Sequence, residues 1–162
     1  MQMRCAVGVL LLLAIGEGNA CNLSTGTTVF ATHGVAAAAD ETGLKAPVLD
    51  LVSLTRGVDG RASCDASGLL TLSVEWPRGT DYKLRDLGFE FRVLGEDALA
   101  IFPREPVAGR LEGRRSEFVF LWKDGPPVQQ SRIDLIVEVR AVTADNRRGP
   151  PAQLRIASAP GG

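Results

Sequence analysis

Few side chains in this sequence could do chemistry, and they lie far apart along the chain. The single histidine, His33, is followed by Gly34 and has no candidate nucleophile beside it. A serine or cysteine nucleophile needs a base within hydrogen-bond reach and usually an acid that orients the base. We therefore interpret His33 as an exposed or capping side chain.

Carboxylates are the other candidates for acid–base chemistry, and the ones considered are Glu90, Glu96, Asp97 and Glu117. They fall mostly at outward strand or turn positions, where a solvated charge is the ordinary explanation. The sequence has no glycine loop leading into a helix that would cradle a phosphate, and no dinucleotide fingerprint. We predict no catalytic residue, no cofactor and no enzymatic activity.

Two arginine doublets could recognise a ligand, because the planar guanidinium binds carboxylate or phosphate through two hydrogen bonds. One is at 114–115, and the other lies in a polar connection longer than the two residues that a hairpin needs. We predict a binding loop at residues 145–148, with its two arginines exposed and its backbone mobile until an acidic partner engages it. The alternative is an ordinary solvated loop. The loop 145–148 consists of Asp145, Asn146, Arg147 and Arg148.

The first 20 residues have the features of a signal peptide. Arg4 supplies a positive charge, residues 6–15 form an apolar run, and Gly18 and Ala20 are small residues at a cleavage site. The apolar run is shorter than the roughly 20 residues that a membrane-spanning helix needs. We therefore predict an exported protein, periplasmic or extracellular.

Three cysteines constrain the exported chain. Cys5 leaves with the signal peptide, so Cys21 and Cys64 remain. An even pair in an exported chain predicts one disulfide, between Cys21 and Cys64. The alternative is a lipoprotein anchored in the outer membrane at Cys21, although Gly18 stands where such signals usually carry a leucine-like residue. Two cysteines and one histidine do not make a tetrahedral metal set, so we predict no metal site.

Charge and length narrow the class of protein further. Lys and Arg together number 18 against 19 Asp and Glu, which gives a formal net charge of −1. A balanced surface creates no global field for a nucleic acid or an anionic membrane, so we predict no nucleic-acid partner and membrane association only through a lipidated Cys21. Removal of the signal peptide leaves a chain long enough for one domain with its own core.

Alternating apolar and polar residues predict strands with one buried face. Turn residues separate about seven such segments, at the spacing expected of an antiparallel β-sandwich. The all-β sandwich is predicted over 46–158, after an N-terminal arm at 21–45 and before a flexible tail at 159–162. The predicted strands lie at 47–55, 69–76, 87–94, 99–102, 116–122, 133–141 and 152–156.

The aromatic residues allow two interpretations. They could form a sugar-binding platform, but they alternate in phase with charged residues, which favours a core between two sheets. Trp76 closes one inward series and is predicted to be buried. The residues concerned are Trp76, Phe89, Phe91, Phe118, Phe120 and Trp122.

Four segments together resemble parts of a fibronectin type III domain. Residues 137–142 (VEVRAV), the loop through 149–151 (GPP) and residues 154–156 (LRI) are similar to the last two strands of that family, and residues 70–76 (LTLSVEW) to its second strand. The family usually has a tyrosine early in the penultimate strand, where this chain has Leu135. The resemblance implies an immunoglobulin-like sandwich without the tyrosine-corner hydrogen bond.

The sequence thus predicts a non-catalytic, exported interaction module that binds a cell-envelope or extracellular component. Its partner would be an envelope protein or polymer, bound through end loops or along a sheet edge. The alternative is a small envelope structural subunit or a chaperone-like sandwich, with a possible lipid anchor at Cys21.

Overall fold

The computed structural model describes residues 23, 25–36, 43–60, 62 and 64–162 of the chain. Strands and two short 3₁₀ turns, Leu84–Asp86 and Pro127–Gln129, form the regular structure of these residues, which contain no α-helix. The strands in chain order are β1 (Thr28–Val29), β2 (Val48–Thr55), β3 (Ser67–Glu75), β4 (Leu87–Leu94), β5 (Val107–Ala108), β6 (Arg110–Glu112), β7 (Arg115–Lys123), β8 (Ile133–Thr143) and β9 (Ala152–Ser158).

The strands form two antiparallel sheets. The five-stranded sheet has the order β1-β5-β4-β8-β9, and the four-stranded sheet has the order β2-β3-β7-β6. The longest ladders join β3 to β7 and β4 to β8, so each sheet is built around long central strands. The predicted antiparallel two-sheet sandwich is therefore confirmed.

Alternation along the central strands builds the core. The inward residues of β3, β4, β7 and β8 are buried, whereas their neighbours are more exposed on most strands. Trp76 is 4% exposed and packs edge-on against Phe89, with 6.3 Å between ring centroids. All six aromatic residues considered as a sugar platform lie in this core, which agrees with the core interpretation.

The structure has nine strands instead of about seven, and one predicted strand is wrong. Three of the nine, β1, β5 and β6, have only two or three residues, too few to produce a period-two pattern. Residues 99–102 form an irregular loop, in which Ala100 has a φ of 47° and Ile101 and Phe102 enter the core. A short apolar run therefore fills the core here without forming a strand.

The described part of the N-terminal arm lies across the sandwich. Phe30 covers Gly88 on β4 so closely that a Cβ atom there would meet the phenyl ring at 2.4 Å. Backbone N–H groups of Phe30 and His33 donate to the carbonyl oxygens of Pro106 and Ala144. The arm therefore covers part of the five-stranded sheet. The predicted signal peptide and Cys21 lie outside the described residues.

A buried ion pair joins segments at one end of the sandwich. The Arg56 guanidinium donates from Nε and Nη2 to the two carboxylate oxygens of Asp124, at 2.8 and 2.9 Å, and the side chains are 2% and 1% exposed. Its remaining donors bind the carbonyl oxygens of Ala159 and Ser131. Asp124 also accepts a hydrogen bond from the Gly57 N–H. The pair therefore links the chain after β2 to the chain after β7 and after β9.

Gln130 fastens the C-terminal residues from the same end. Its amide nitrogen donates to the carbonyl oxygens of Gly57 and Gly125, and its amide oxygen accepts from the Gly161 N–H at 2.7 Å. The segment 159–162, predicted to be a flexible tail, is thus hydrogen-bonded to both Arg56 and Gln130. Within the described residues, no helix is long and apolar enough to cross a membrane.

Candidate functional site

The loop 145–148 follows directly from the end of β8 and is organised around Thr143. The Thr143 hydroxyl donates to the Asp145 carboxylate at 2.6 Å and accepts from the Arg147 N–H at 3.1 Å. Thr143 also forms backbone hydrogen bonds with Asn146 and Arg147. These contacts form a tight turn, in which Asn146 has a φ of 63°, a conformation that asparagine tolerates well.

Both arginines of the loop pair with acids of this chain. Arg147 Nε lies 2.7 Å from a carboxylate oxygen of Asp145, and Arg148 Nε lies 2.7 Å from one of Glu90 on β4. The Arg148 side chain is 24% exposed. Arg148 also donates to the side chain and carbonyl oxygen of Asn146, whose amide nitrogen reaches the Gly34 carbonyl oxygen.

The two arginines are only partly exposed, with 38% for the Arg147 side chain and 24% for that of Arg148, where the sequence predicts full exposure. Both are half-buried, and their charges are already matched, because Asp145 and Glu90 lie within ion-pair distance. The hydrogen bond from Thr143 and the contact with Arg147 hold the pKa of Asp145 below its usual range. An acidic partner would have to displace these two carboxylates from the arginines. The predicted recognition of an acidic partner by Arg147 and Arg148 is therefore opposed by ion pairs within the chain.

The structure separates the other side chains considered for chemistry. Glu90 pairs with Arg148, Glu117 pairs with Arg110, and the Asp97 carboxylate accepts from the Ala100 N–H. Among the described residues, no group of three or more histidine, cysteine, aspartate or glutamate side chains could hold a metal ion. Glu117 thus lies apart from Glu90 and Asp97, which line one hollow beside β4.

One side of the sandwich is closed only by very short strands, and we call it the open side. β6 pairs with β7 at three positions, from Arg110 opposite Glu117 to Glu112 opposite Arg115. β7 continues to Lys123, but within the described residues no strand pairs with its outer edge beyond Glu117. On the facing sheet, β5 pairs with β4 at the single position of Val107.

An elongated space of about 430 Å³, which we call the edge groove, lies on the open side. Its walls are formed by Thr25 and residues 27–29 of the arm, by residues 100–103 with Val107, and by residues 119–121 of β7. None of these lining residues carries a charge. The edge groove therefore joins an unpaired stretch of β7 to a lining of threonine and apolar side chains.

A neighbouring hollow of about 340 Å³ beside β4 differs in its charge. Its lining includes two acids, Glu90 and Asp97, and two bases, Arg92 and Arg104. Because the two signs balance, this hollow does not favour an ion of either charge. The edge groove differs in having an uncharged lining, and we therefore treat it as the candidate binding site.

Away from the open side, β9 is the edge strand of the five-stranded sheet and β2 is the edge strand of the four-stranded sheet. β2 has eight residues, and Val48 and Val52 are both more than half exposed. Its pairing with β3 shifts register between Leu51 and Ser53, so Val52 forms a bulge, and Asp50 places a charge on the strand. Bulges and charges are features by which natural sheet edges discourage further pairing.

Sequence reasoning missed the edge groove. Residues 119–121 belong to a correctly predicted strand, but whether that strand has a neighbour depends on where β6 begins. The turn at Gly113 and Arg114 sets the end of β6 and the start of β7, and three residues are too few for a pattern that marks the start of β6 at Arg110. Comparison of the chain with family models, with curated proteins and with solved structures finds no match.

Proposed function

We propose that this protein is a non-catalytic, exported interaction module that binds another cell-envelope or extracellular component along a sheet edge. The proposal includes a divergent fibronectin-III-like topology for the sandwich. It rests on one observation, which is that β2 and the later part of β7 keep a strand edge without a neighbour in the described chain.

The sheet edge is a better candidate than the loop 145–148 for a physical reason. A partner that pairs with a strand edge gains main-chain hydrogen bonds that the free protein makes only with water. A partner that takes Arg148 must first displace Glu90, whose carboxylate already lies at 2.7 Å. Replacing one ion pair by another returns little net energy.

The test is capture from the envelope of the producing cells. The full chain with an affinity tag is crosslinked in intact cells, and the species attached to it are identified by mass spectrometry. Val119→Lys places a charge at the β7 edge, and Arg147→Ala removes one arginine from the loop. We expect a specific adduct that the edge variant weakens and the loop variant retains.

Two results would count against the proposal. Loss of the adduct in Arg147→Ala with full retention in Val119→Lys and in Val52→Lys would assign binding to the loop. The absence of any specific adduct would favour the structural-subunit alternative. Lipidation at Cys21 is read from the mass of the same purified chain, because a diacylglyceryl group adds to the N-terminal peptide.

A further inference from the structure

We propose that the edge groove is an acceptor site for an additional β-strand, in which an extended, uncharged segment of a partner protein pairs with β7 at Val119 and Leu121. This inference rests on the proposed function and deepens it, since it specifies which edge is used and what chemistry the partner presents.

The backbone of β7 is oriented for such pairing. In an antiparallel sheet, the N–H and C=O groups of successive residues point to opposite edges of a strand, so those of residues i and i+2 share an edge. Glu117 lies opposite Arg110, and its carbonyl oxygen lies so close to Gly109 that a Cβ atom there would approach it at 2.3 Å. The backbone groups of Glu117 therefore face the β6 side. The backbone N–H and C=O groups of Val119 and Leu121 point to the same edge, at positions that β6 does not reach.

The lining of the groove selects the side chains of the partner. Thr25, Thr27 and Thr28 are the polar residues of the lining, and the others are apolar or proline. A charged side chain placed among them would lose its hydration without gaining a counter-ion, which is unfavourable. The complementary segment is therefore uncharged, with small or β-branched side chains that suit a pleated strand.

Ion pairs around Arg110 limit the incoming strand at one end. Arg110 Nη2 lies 2.9 Å from carboxylate oxygens of both Glu112 and Glu117, so its charge is already compensated. Arg110, the first residue of β6, lies opposite Glu117, so the incoming strand can pair only with the residues of β7 from Phe118 to Lys123. At about 3.3 Å per residue, the free part of β7 accommodates a segment of roughly five or six residues.

The edge of β2 is a weaker acceptor than that of β7. β2 has a bulge at Val52, which interrupts the regular spacing of its backbone groups, and Asp50 would enter the new pairing. From Val119 to Leu121, β7 pairs in unbroken register with β3 and carries no charge. Regular spacing and an uncharged surface favour β7.

The wall of the groove also contains a strained residue. Ala100 adopts a φ of 47°, and its N–H is held by the Asp97 carboxylate at 3.0 Å. A left-handed conformation is unfavourable for a non-glycine residue. Strain of this kind concentrates at functional segments, and here it belongs to the loop that lines the groove and inserts Ile101 and Phe102 into the core.

A displayed library of random seven-residue peptides, panned against the full chain, tests the inference. We expect enriched peptides to lack charged residues over five or six consecutive positions. Synthetic copies should slow amide hydrogen exchange at Val119 and Leu121 by at least about tenfold, since these groups become hydrogen-bonded. Val119→Pro removes the pairing N–H without touching the β3 ladder, and should abolish binding.

Val119→Lys is a second variant that keeps the backbone intact and places a charge at the same edge. Val52→Lys is the matched control, because it adds the same charge to β2, the opposite edge strand of the same sheet. Peptide binding lost in both Val119 variants and kept in Val52→Lys supports the inference. Enrichment of no peptide, equal binding to all variants, or protection of β2 amides overturns it.

The two proposals fail separately. A cell-envelope adduct that forms equally well with Val119→Lys leaves the interaction module in place and overturns the strand acceptor. Peptide binding at Val119 and Leu121 without any adduct in cells supports the acceptor site and overturns the cell-envelope partner.

Discussion

Removal of the charge at Asp124 should be the most damaging conservative change in this protein. Asp124→Asn keeps the size of the side chain but leaves the Arg56 guanidinium buried without its counter-ion. Asp124 accepts four hydrogen bonds, from two nitrogens of Arg56, from the Gly57 N–H and from the Trp122 indole. Breaking a buried pair by removing one partner typically costs about 3–5 kcal/mol.

The matched control is Asp134→Asn. Asp134 and Arg155 form a two-hydrogen-bond pair with both distances 2.8 Å, but the side chains are 39% and 68% exposed. An exposed pair contributes about 0–1 kcal/mol. Because the two pairs differ mainly in burial, the comparison isolates the energetic consequence of that burial.

Urea unfolding followed by tryptophan fluorescence measures both changes. We expect the midpoint of Asp124→Asn to fall well below that of Asp134→Asn. Simultaneous replacement of Arg56 by Met and Asp124 by Leu should recover part of the loss, since no buried charge then remains. Equal midpoints for the two single variants would refute the reasoning from burial.

The pH dependence of stability gives an independent reading of the same site. Burial alone would raise the pKa of Asp124, but the hydrogen bonds from Arg56, Gly57 and Trp122 together lower it below its ordinary value of 3.8. A depressed pKa in the folded state contributes stability above the unfolded-state value, and this contribution is lost as the pH falls through the folded-state value. Wild-type stability should therefore fall below about pH 4, with a smaller loss in Asp124→Asn.

Three further changes extend the test to the core, the loop and the cysteines. Trp76→Ala should lower the free energy of unfolding by about 3–5 kcal/mol, measured by denaturant titration, because it removes a buried ring; an unchanged midpoint would contradict this. Arg148→Ala should cost about 1–2 kcal/mol, as it leaves the half-buried Glu90 without its partner, and a loss no larger than that of an exposed arginine would oppose the assignment. Intact-mass analysis after alkylation should find no free thiol at Cys21 and Cys64, and reduction should lower stability by about 4 kcal/mol; two alkylated thiols without reduction would exclude the disulfide.

The sequence predicts the long strands well because the alternation of apolar and polar residues within each strand indicates which residues are buried. Leu70, Leu72 and Val74 alternate with polar residues, and Trp76 continues the series, so one face is identified without knowing its partner. The run at 99–102 fails the same reasoning. Four residues are too few to separate a strand from a loop that inserts apolar side chains, and the left-handed Ala100 has no sequence signature.

The contacts between distant segments are the part that the sequence does not contain. Arg56 lies in a loop rich in glycine and aspartate, which reads as solvated, yet it pairs with a carboxylate 68 residues away. Arg148 was expected to be exposed for the same reason and instead reaches Glu90, 58 residues earlier. Period-two patterns report which face is buried, but they carry no information about which charges meet.

The hydrogen bonds at 159–161 determine how anything joined after Gly162 would be held. Ala159 is bound by Arg56, which directly follows β2 of the four-stranded sheet, although β9 belongs to the five-stranded one. Gly161, two residues after Ala159, donates its N–H to the side-chain amide oxygen of Gln130. The exit point of the chain is therefore fixed relative to both sheets. A fused domain with a short linker would leave the sandwich in a defined direction, and the length of that linker would set its freedom to swing.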